Sequence, residues 1–137
     1  MAWVRHLSGD KGGRAYAHLV SAELTRTWHE HTGRELTIVS GTEYFTEAVT
    51  FYSADHPDGV PDFNWTSAPW VTPGRRADEG WAIICRADEA ACLAAAQDEA
   101  AQAGPAGVIK ETFTAQPTFW GVRGKPENFV LILLPPG

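Results

Sequence analysis

The sequence predicts a three-layer α/β/α sandwich with a mixed, mainly parallel sheet and a C-terminal antiparallel hairpin. Three observations predict it. Helix-period and strand-like segments alternate along most of the chain. The short apolar runs Leu36 to Val39 and Trp81 to Cys85 lack polar alternation, as strands covered on both faces do. The last two strands, Val108 to Thr114 and Phe129 to Leu134, flank a Gly124-Lys125-Pro126-Glu127-Asn128 turn, which sets them antiparallel.

The elements follow in order. Residues 1–13 are mixed, and Gly9, Gly12 and Gly13 make them a flexible lead-in. A helix is expected from Ala15 to His31, because Tyr16, Val20, Leu24 and Trp28 recur along one stripe, with Gly33 as its stop. Leu36 to Val39 is a buried strand. Thr42 then caps a helix ending near Ser53, with Ala48, Val49, Phe51 and Tyr52 on its inner face. Val60 to Phe63 reads as a strand near an edge, since Pro61 cannot donate to a ladder.

Asn64 to Gly74 is a Trp- and Pro-rich loop leading into a short helix, Pro73 to Glu79. Trp81 to Cys85 is a buried strand. Asp88 is the expected cap of a helix from Glu89 to Ala103, closed by Gly104 and Pro105. Its inner face, Cys92, Leu93, Ala96 and Ala100, is small enough to sit close on a sheet. Residues 119–122 extend the Val108 to Thr114 strand beyond the break at Pro117. No repeat or long linker divides the chain, so residues 1–137 form a single α/β domain.

Composition narrows function. At 44% apolar and 20% charged, the chain has the balance of a folded domain. A net charge of -6 argues against nucleic acid as a partner and does not favour anionic lipid headgroups. No stretch reaches the roughly 18 to 20 apolar residues of a membrane span, and no secretion segment opens the chain. Taken alone, the sequence reads as a soluble, cytoplasmic domain. Cys85 and Cys92, the only cysteines, read as two free, mostly buried thiols.

Catalytic signatures are sparse. His29-Glu30-His31 sits at a helix end with its histidines two residues apart, on nearly opposite sides, so it reads as a solvated terminus rather than a metal site. Gly9-Asp10-Lys11-Gly12-Gly13-Arg14 lacks the spacing of a phosphate loop. No Ser-His-Asp or Cys-His set is legible, and no motif selects two carboxylates for glycosyl chemistry. No catalytic residue, metal ligand or cofactor is therefore assigned.

Two ligand-binding candidates remain. The first is Glu43 with Tyr44, where Ser40-Gly41-Thr42 joins a strand to a helix at the carboxyl end of the sheet. The carboxylate of Glu43 discourages phosphate there. The second is Asp62, Asn64, Trp65 and Trp70: indole faces for sugar rings, with polar groups for hydroxyls. Against each stands a structural reading, capping and packing for the first and plugging of the core edge for the second.

The segment from Leu36 to Trp70 carries a resemblance. An apolar strand, a polar turn, a helix ending in Phe51-Tyr52-Ser53 before Pro57, then Ser67-Ala68-Pro69-Trp70, a later Trp81 to Cys85 strand and a terminal strand ending in Pro135-Pro136 form the pattern. It resembles the soluble C-terminal domain of family 39 membrane glycosyltransferases, which include protein mannosyltransferases and aminoarabinose transferases. The chain departs from that pattern at Trp70-Val71-Thr72-Pro73, where relatives tend to carry an acid.

The resemblance implies a non-catalytic domain of a polyprenyl-phosphate-sugar-dependent enzyme, placed in the periplasm or its equivalent. It would contact an acceptor or cap an active site held in the membrane. Its partners would be the membrane-embedded part of the same polypeptide, encoded upstream of Met1, and a sugar or lipid-linked acceptor. The alternatives are a free-standing α/β protein that binds or transforms a carbohydrate-like small molecule, and an interaction module using exposed aromatics.

Overall fold

A computed structural model describes residues 2–104 and 107–137, with side chains from Arg14 onward except that of Phe119. The order is α1 (Ala2–Thr32), β1 (Ile38–Gly41), α2 (Glu43–Tyr52), β2 (Asp58–Pro61), a 3-10 turn (Trp65–Ser67), α3 (Pro73–Glu79), β3 (Trp81–Arg86), α4 (Ala90–Ala103), β4 (Ile109–Ala115), β5 (Thr118–Phe119), β6 (Val122–Arg123) and β7 (Glu127–Leu134). Five strands make one sheet in the order β2-β1-β3-β7-β4. β1 pairs in parallel with β2 and with β3, and β7 runs antiparallel to both β3 and β4. Four of the five strands thus share one direction, as the mainly parallel reading requires.

Alternating side chains of the central strands enter two cores. On one face Val39, Ala82, Ile84, Phe129, Leu131 and Leu133 meet Val20, Leu24 and Trp28 of α1 and Phe45 and Val49 of α2. On the other, Ile38, Ile83, Cys85, Val130 and Ile132 meet Cys92 and Ala96 of α4 and Ala68 and Val71 of the long loop. Cover on both faces explains why β3 and β7 show no polar alternation. Pro61 lies on edge strand β2, where a missing backbone donor costs no ladder bond.

Several details differ from the sequence reading. α1 begins at Ala2 instead of Ala15. Glycines weaken a helix by about 1 kcal/mol each without forbidding it, so Gly9, Gly12 and Gly13 lie inside α1. The phosphate-loop-like segment is accordingly part of a helix. Pro105, expected to close α4, lies outside the described residues. Residues 119–122 do not extend β4; they fall in a separate two-stranded hairpin, β5-β6. Pro117 interrupts the ladder before it.

Neither expected cap residue on α2 or α4 forms its bond. Thr42 makes no side-chain cap bond and instead donates its hydroxyl to Glu89 Oε2 at 3.3 Å. α4 starts after Glu89, one residue beyond the expected Asp88 cap, also without a side-chain cap bond. Thr72 does cap α3, accepting from the Arg75 N–H at 3.0 Å.

The two cysteines are not free thiols. Cys85 and Cys92 are joined in a disulfide with a Cα separation of 5.8 Å. The end of β3 and the first turn of α4 converge across a short connection, which brings the pair within bridging range.

Candidate functional site

β1 sends the chain outward to β2, and the chain then returns to the other side of β1 to form β3. The carboxyl ends of β1 and β3 therefore flank a reversal in strand order, where open α/β sheets leave a crevice. Gly41 makes the approach possible. A Cβ on it would lie 2.0 Å from the Ile84 carbonyl oxygen, and its φ of 131° is open only to glycine. The Thr42 N–H then donates to that same carbonyl at 2.9 Å, tying the start of α2 to β3.

The crevice encloses about 380 Å³ and is lined by Tyr16, Thr42, Tyr44, Phe45, Arg86, Glu89 and Glu127. Arg86 follows the last buried residue of β3. Its guanidinium lies 3.2 Å from Glu127 Oε2, 3.5 Å from Asp88 Oδ1 and 3.9 Å from Glu89 Oε1. One cation thus faces three carboxylates. The Tyr16 hydroxyl donates to the Lys125 carbonyl. Burial, followed by the negative field of Glu127, raises the Tyr16 pKa, with Arg86 opposing. The phenol is therefore a fixed proton donor at neutral pH.

Chemically, the crevice offers guanidinium donors, carboxylate acceptors, a hydroxyl and an aromatic wall. That set matches the edges of a neutral polyhydroxylated ligand. Its excess of carboxylates disfavours a free phosphate. The disulfide lies behind one crevice residue on the α4 side: Thr42 Oγ1 is 3.7 Å from Cys92 Sγ. Among the described residues, no group of three or more His, Cys, Asp or Glu side chains is placed to hold a metal ion.

The sequence candidates divide. Tyr44, 49% exposed, lines the crevice and packs edge-on to Phe45 at 5.0 Å. Glu43 is exposed as the first residue of α2 and is not among the crevice residues. Asp62, Asn64, Trp65 and Trp70 belong to the long loop, whose buried residues pack on the opposite face of the sheet. The two candidate groups do not form one site.

Within that loop, Trp65 is a structural plug. Its Nε1 donates to Glu99 at 2.9 Å, its ring meets Trp81 edge-on at 5.1 Å, and the Arg76 guanidinium lies 3.9 Å above it. Asp62 is exposed in a left-handed conformation, and its N–H donates to the Gly41 carbonyl at 2.8 Å. Asn64 is exposed, and its carbonyl accepts from the Ser67 hydroxyl at 2.8 Å. Trp70 remains 60% exposed.

His29 and His31 also have partners. His29 Nε2 lies 2.6 Å from Asp55 Oδ2, which also accepts from the Leu36 N–H at 2.8 Å. His31 Nε2 lies 3.0 Å from Glu111 Oε1. The helix end is thus pinned in two directions instead of being simply solvated.

The resemblance-bearing residues have physical roles. Tyr52 packs at a tilt against His18 of α1 with ring centres 3.9 Å apart, and the buried Ser53 hydroxyl lies 2.7 Å from Thr25 Oγ1, also on α1. Tyr52 and Ser53 therefore join α2 to α1, whereas Phe51, expected on the inner face of α2, is 72% exposed. Ala68 is buried in the core under the loop. Arg86, Glu89, Glu127 and Tyr16 were not singled out by the sequence. They come from three separated segments, with Arg86 and Glu89 in one turn, and the one local signal was a charged residue, Arg86, directly after a fully buried strand.

Comparison with family models, curated proteins and solved structures finds no match for this chain.

Proposed function

We propose that this chain is a non-catalytic extracytoplasmic domain of a polyprenyl-phosphate-sugar-dependent membrane glycosyltransferase, and that its crevice contacts a hydroxylated acceptor. The observation that carries the reading is the Cys85–Cys92 disulfide. Structural disulfides persist in oxidising compartments such as the periplasm and are rare in the cytosol. The bridge therefore favours the outer side of a membrane, where the resemblance to family 39 enzymes places such a domain. Among the described residues no helix is long and apolar enough to cross a membrane, so the spans of this reading belong to another part of the polypeptide.

The crevice fits acceptor contact better than chemistry. It has hydrogen-bonding groups of both kinds, but the carboxylates beside Arg86 are engaged in ion pairs. The test is a transfer assay with a polyprenyl-phosphate-linked sugar, with and without divalent cations. The isolated chain should give no transfer product. Turnover by it would overturn the non-catalytic reading.

A second reading, a free-standing binder of a carbohydrate-like molecule, is favoured by the same open crevice and its mixed donors and acceptors. It requires a ligand that raises the melting temperature in proportion to its concentration. Substitution of Arg86 by Met would abolish that shift.

A further inference from the structure

We propose that the β5-β6 hairpin seats its tip, Trp120 and Val122, in the headgroup region of a lipid bilayer, turning the crevice end of the domain toward the membrane. The inference rests on the reading of the chain as part of a membrane transferase.

The tip is unusual in its chemistry. Trp120 is 90% exposed and Val122 68% exposed. Phe119 pairs with Val122, so Trp120 and Gly121 are the two central residues of the turn. Both have positive φ, 52° and 79°. Such turns favour Asn-Gly or Gly-Gly, and a bulky residue at positive φ is strained. Turn formation alone would not select tryptophan here. An indole, with an apolar body and one N–H, suits the lipid-water interface. Arg123 and Lys125, both exposed, flank the tip with side chains able to reach lipid phosphates.

The hairpin is held at its base. The Gly124 N–H donates to the Pro117 carbonyl at 2.6 Å, and Gln116 Nε2 donates to the Gly124 carbonyl at 3.1 Å. Tyr16 on α1 fixes the strand that leaves it through the Lys125 carbonyl.

His31 of α1 meets Glu111 near the start of β4, whereas Tyr16 meets Lys125 beyond the end of β4. α1 therefore runs antiparallel to β4. Its first turns continue past Tyr16 on the side from which the hairpin leaves, spanning about 20 Å at 1.5 Å per residue. A membrane segment preceding α1 would place the bilayer on that side. The net charge of -6 disfavours a strongly anionic surface, so the occupant is a mainly zwitterionic bilayer.

The test tethers the full chain through an N-terminal His tag to phosphatidylcholine vesicles containing a nickel-chelating lipid. Tryptophan emission is compared with and without brominated phosphatidylcholine. Bromolipid should quench the wild-type chain and Trp70→Phe alike, and Trp120→Phe should lose most of that quenching. Equal quenching of wild type and Trp120→Phe, with both folded by circular dichroism, would overturn the proposal, as would no quenching at all. The tether supplies the bilayer whatever precedes the chain, so failure here concerns the hairpin. The absence of upstream spans would concern the transferase reading instead.

Discussion

Gly41 allows the backbones of β1 and β3 to close at the floor of the crevice, and no side chain fits between them. Gly41→Ala would put its methyl 2.0 Å from the Ile84 carbonyl in a left-handed backbone. The expected loss is about 3 kcal/mol or more from overlap and strain together. Chemical denaturation measures it, and a change under 1 kcal/mol would show that the two strands part easily.

Thr27 presents the reverse case. Its hydroxyl is buried with no hydrogen-bond partner among the described residues. Thr27→Val keeps the shape and removes an unsatisfied group, so it should stabilise the chain by about 1 kcal/mol. A lower melting temperature in the variant would reveal a partner for that hydroxyl.

Glu79 sets a pH dependence. Its hydrogen bond to Arg75 comes first among the causes, the Thr37 hydroxyl second, and together they hold its pKa below the ordinary 4.5. The folded carboxylate is thus the weaker base. Its contribution is complete above pH 4.5 and disappears as pH falls through the depressed folded value. Glu79→Gln should flatten that acid limb of the melting-temperature profile while leaving its slope near neutrality unchanged. An unaltered acid limb would mean that the pair contributes nothing to folding.

At the scale of elements, the disulfide and the loop tryptophans separate structural from interactive roles. Replacing Cys85 and Cys92 by serine opens a loop with a sequence separation of 7. The loop-entropy relation gives a cost of about 2.5 kcal/mol, readable as a lower denaturation midpoint. Trp65→Ala should cost about 3 kcal/mol, because the indole is enclosed by Trp81, Arg76 and Glu99. Trp70→Ala should change stability by less than about 0.5 kcal/mol. Equal losses at the two positions would contradict the assignment of Trp65 alone as the plug.

Element order, the edge position of β2 and the antiparallel end of the sheet were legible because they rest on periodicity, Pro61 and the turn before β7. The caps at Thr42 and Asp88 were misread because neighbouring elements supplied competing partners. The disulfide was hidden for a related reason, since a Cα separation depends on how a strand and a helix converge. The candidate site was half legible: Tyr44 follows from its place after β1, while the local pair Arg86 and Glu89 meets Glu127 and Tyr16 only through tertiary folding.

For the whole molecule, the sheet puts the crevice, the disulfide and the base of the exposed hairpin at one end. The buried contacts between α1 and α2 join the resemblance-bearing residues to the remainder of the fold. On the proposed reading, the end that carries the crevice is the one that would face the acceptor beside a membrane catalyst. The central claim is that such a catalyst precedes this chain in the same polypeptide. The most direct measurement is the sequence of the natural gene upstream of the Met1 codon. The account expects an open frame carrying several apolar segments of about 20 residues each. A true start at Met1, with no such segments before it, would contradict the account and leave the free-standing binder in its place.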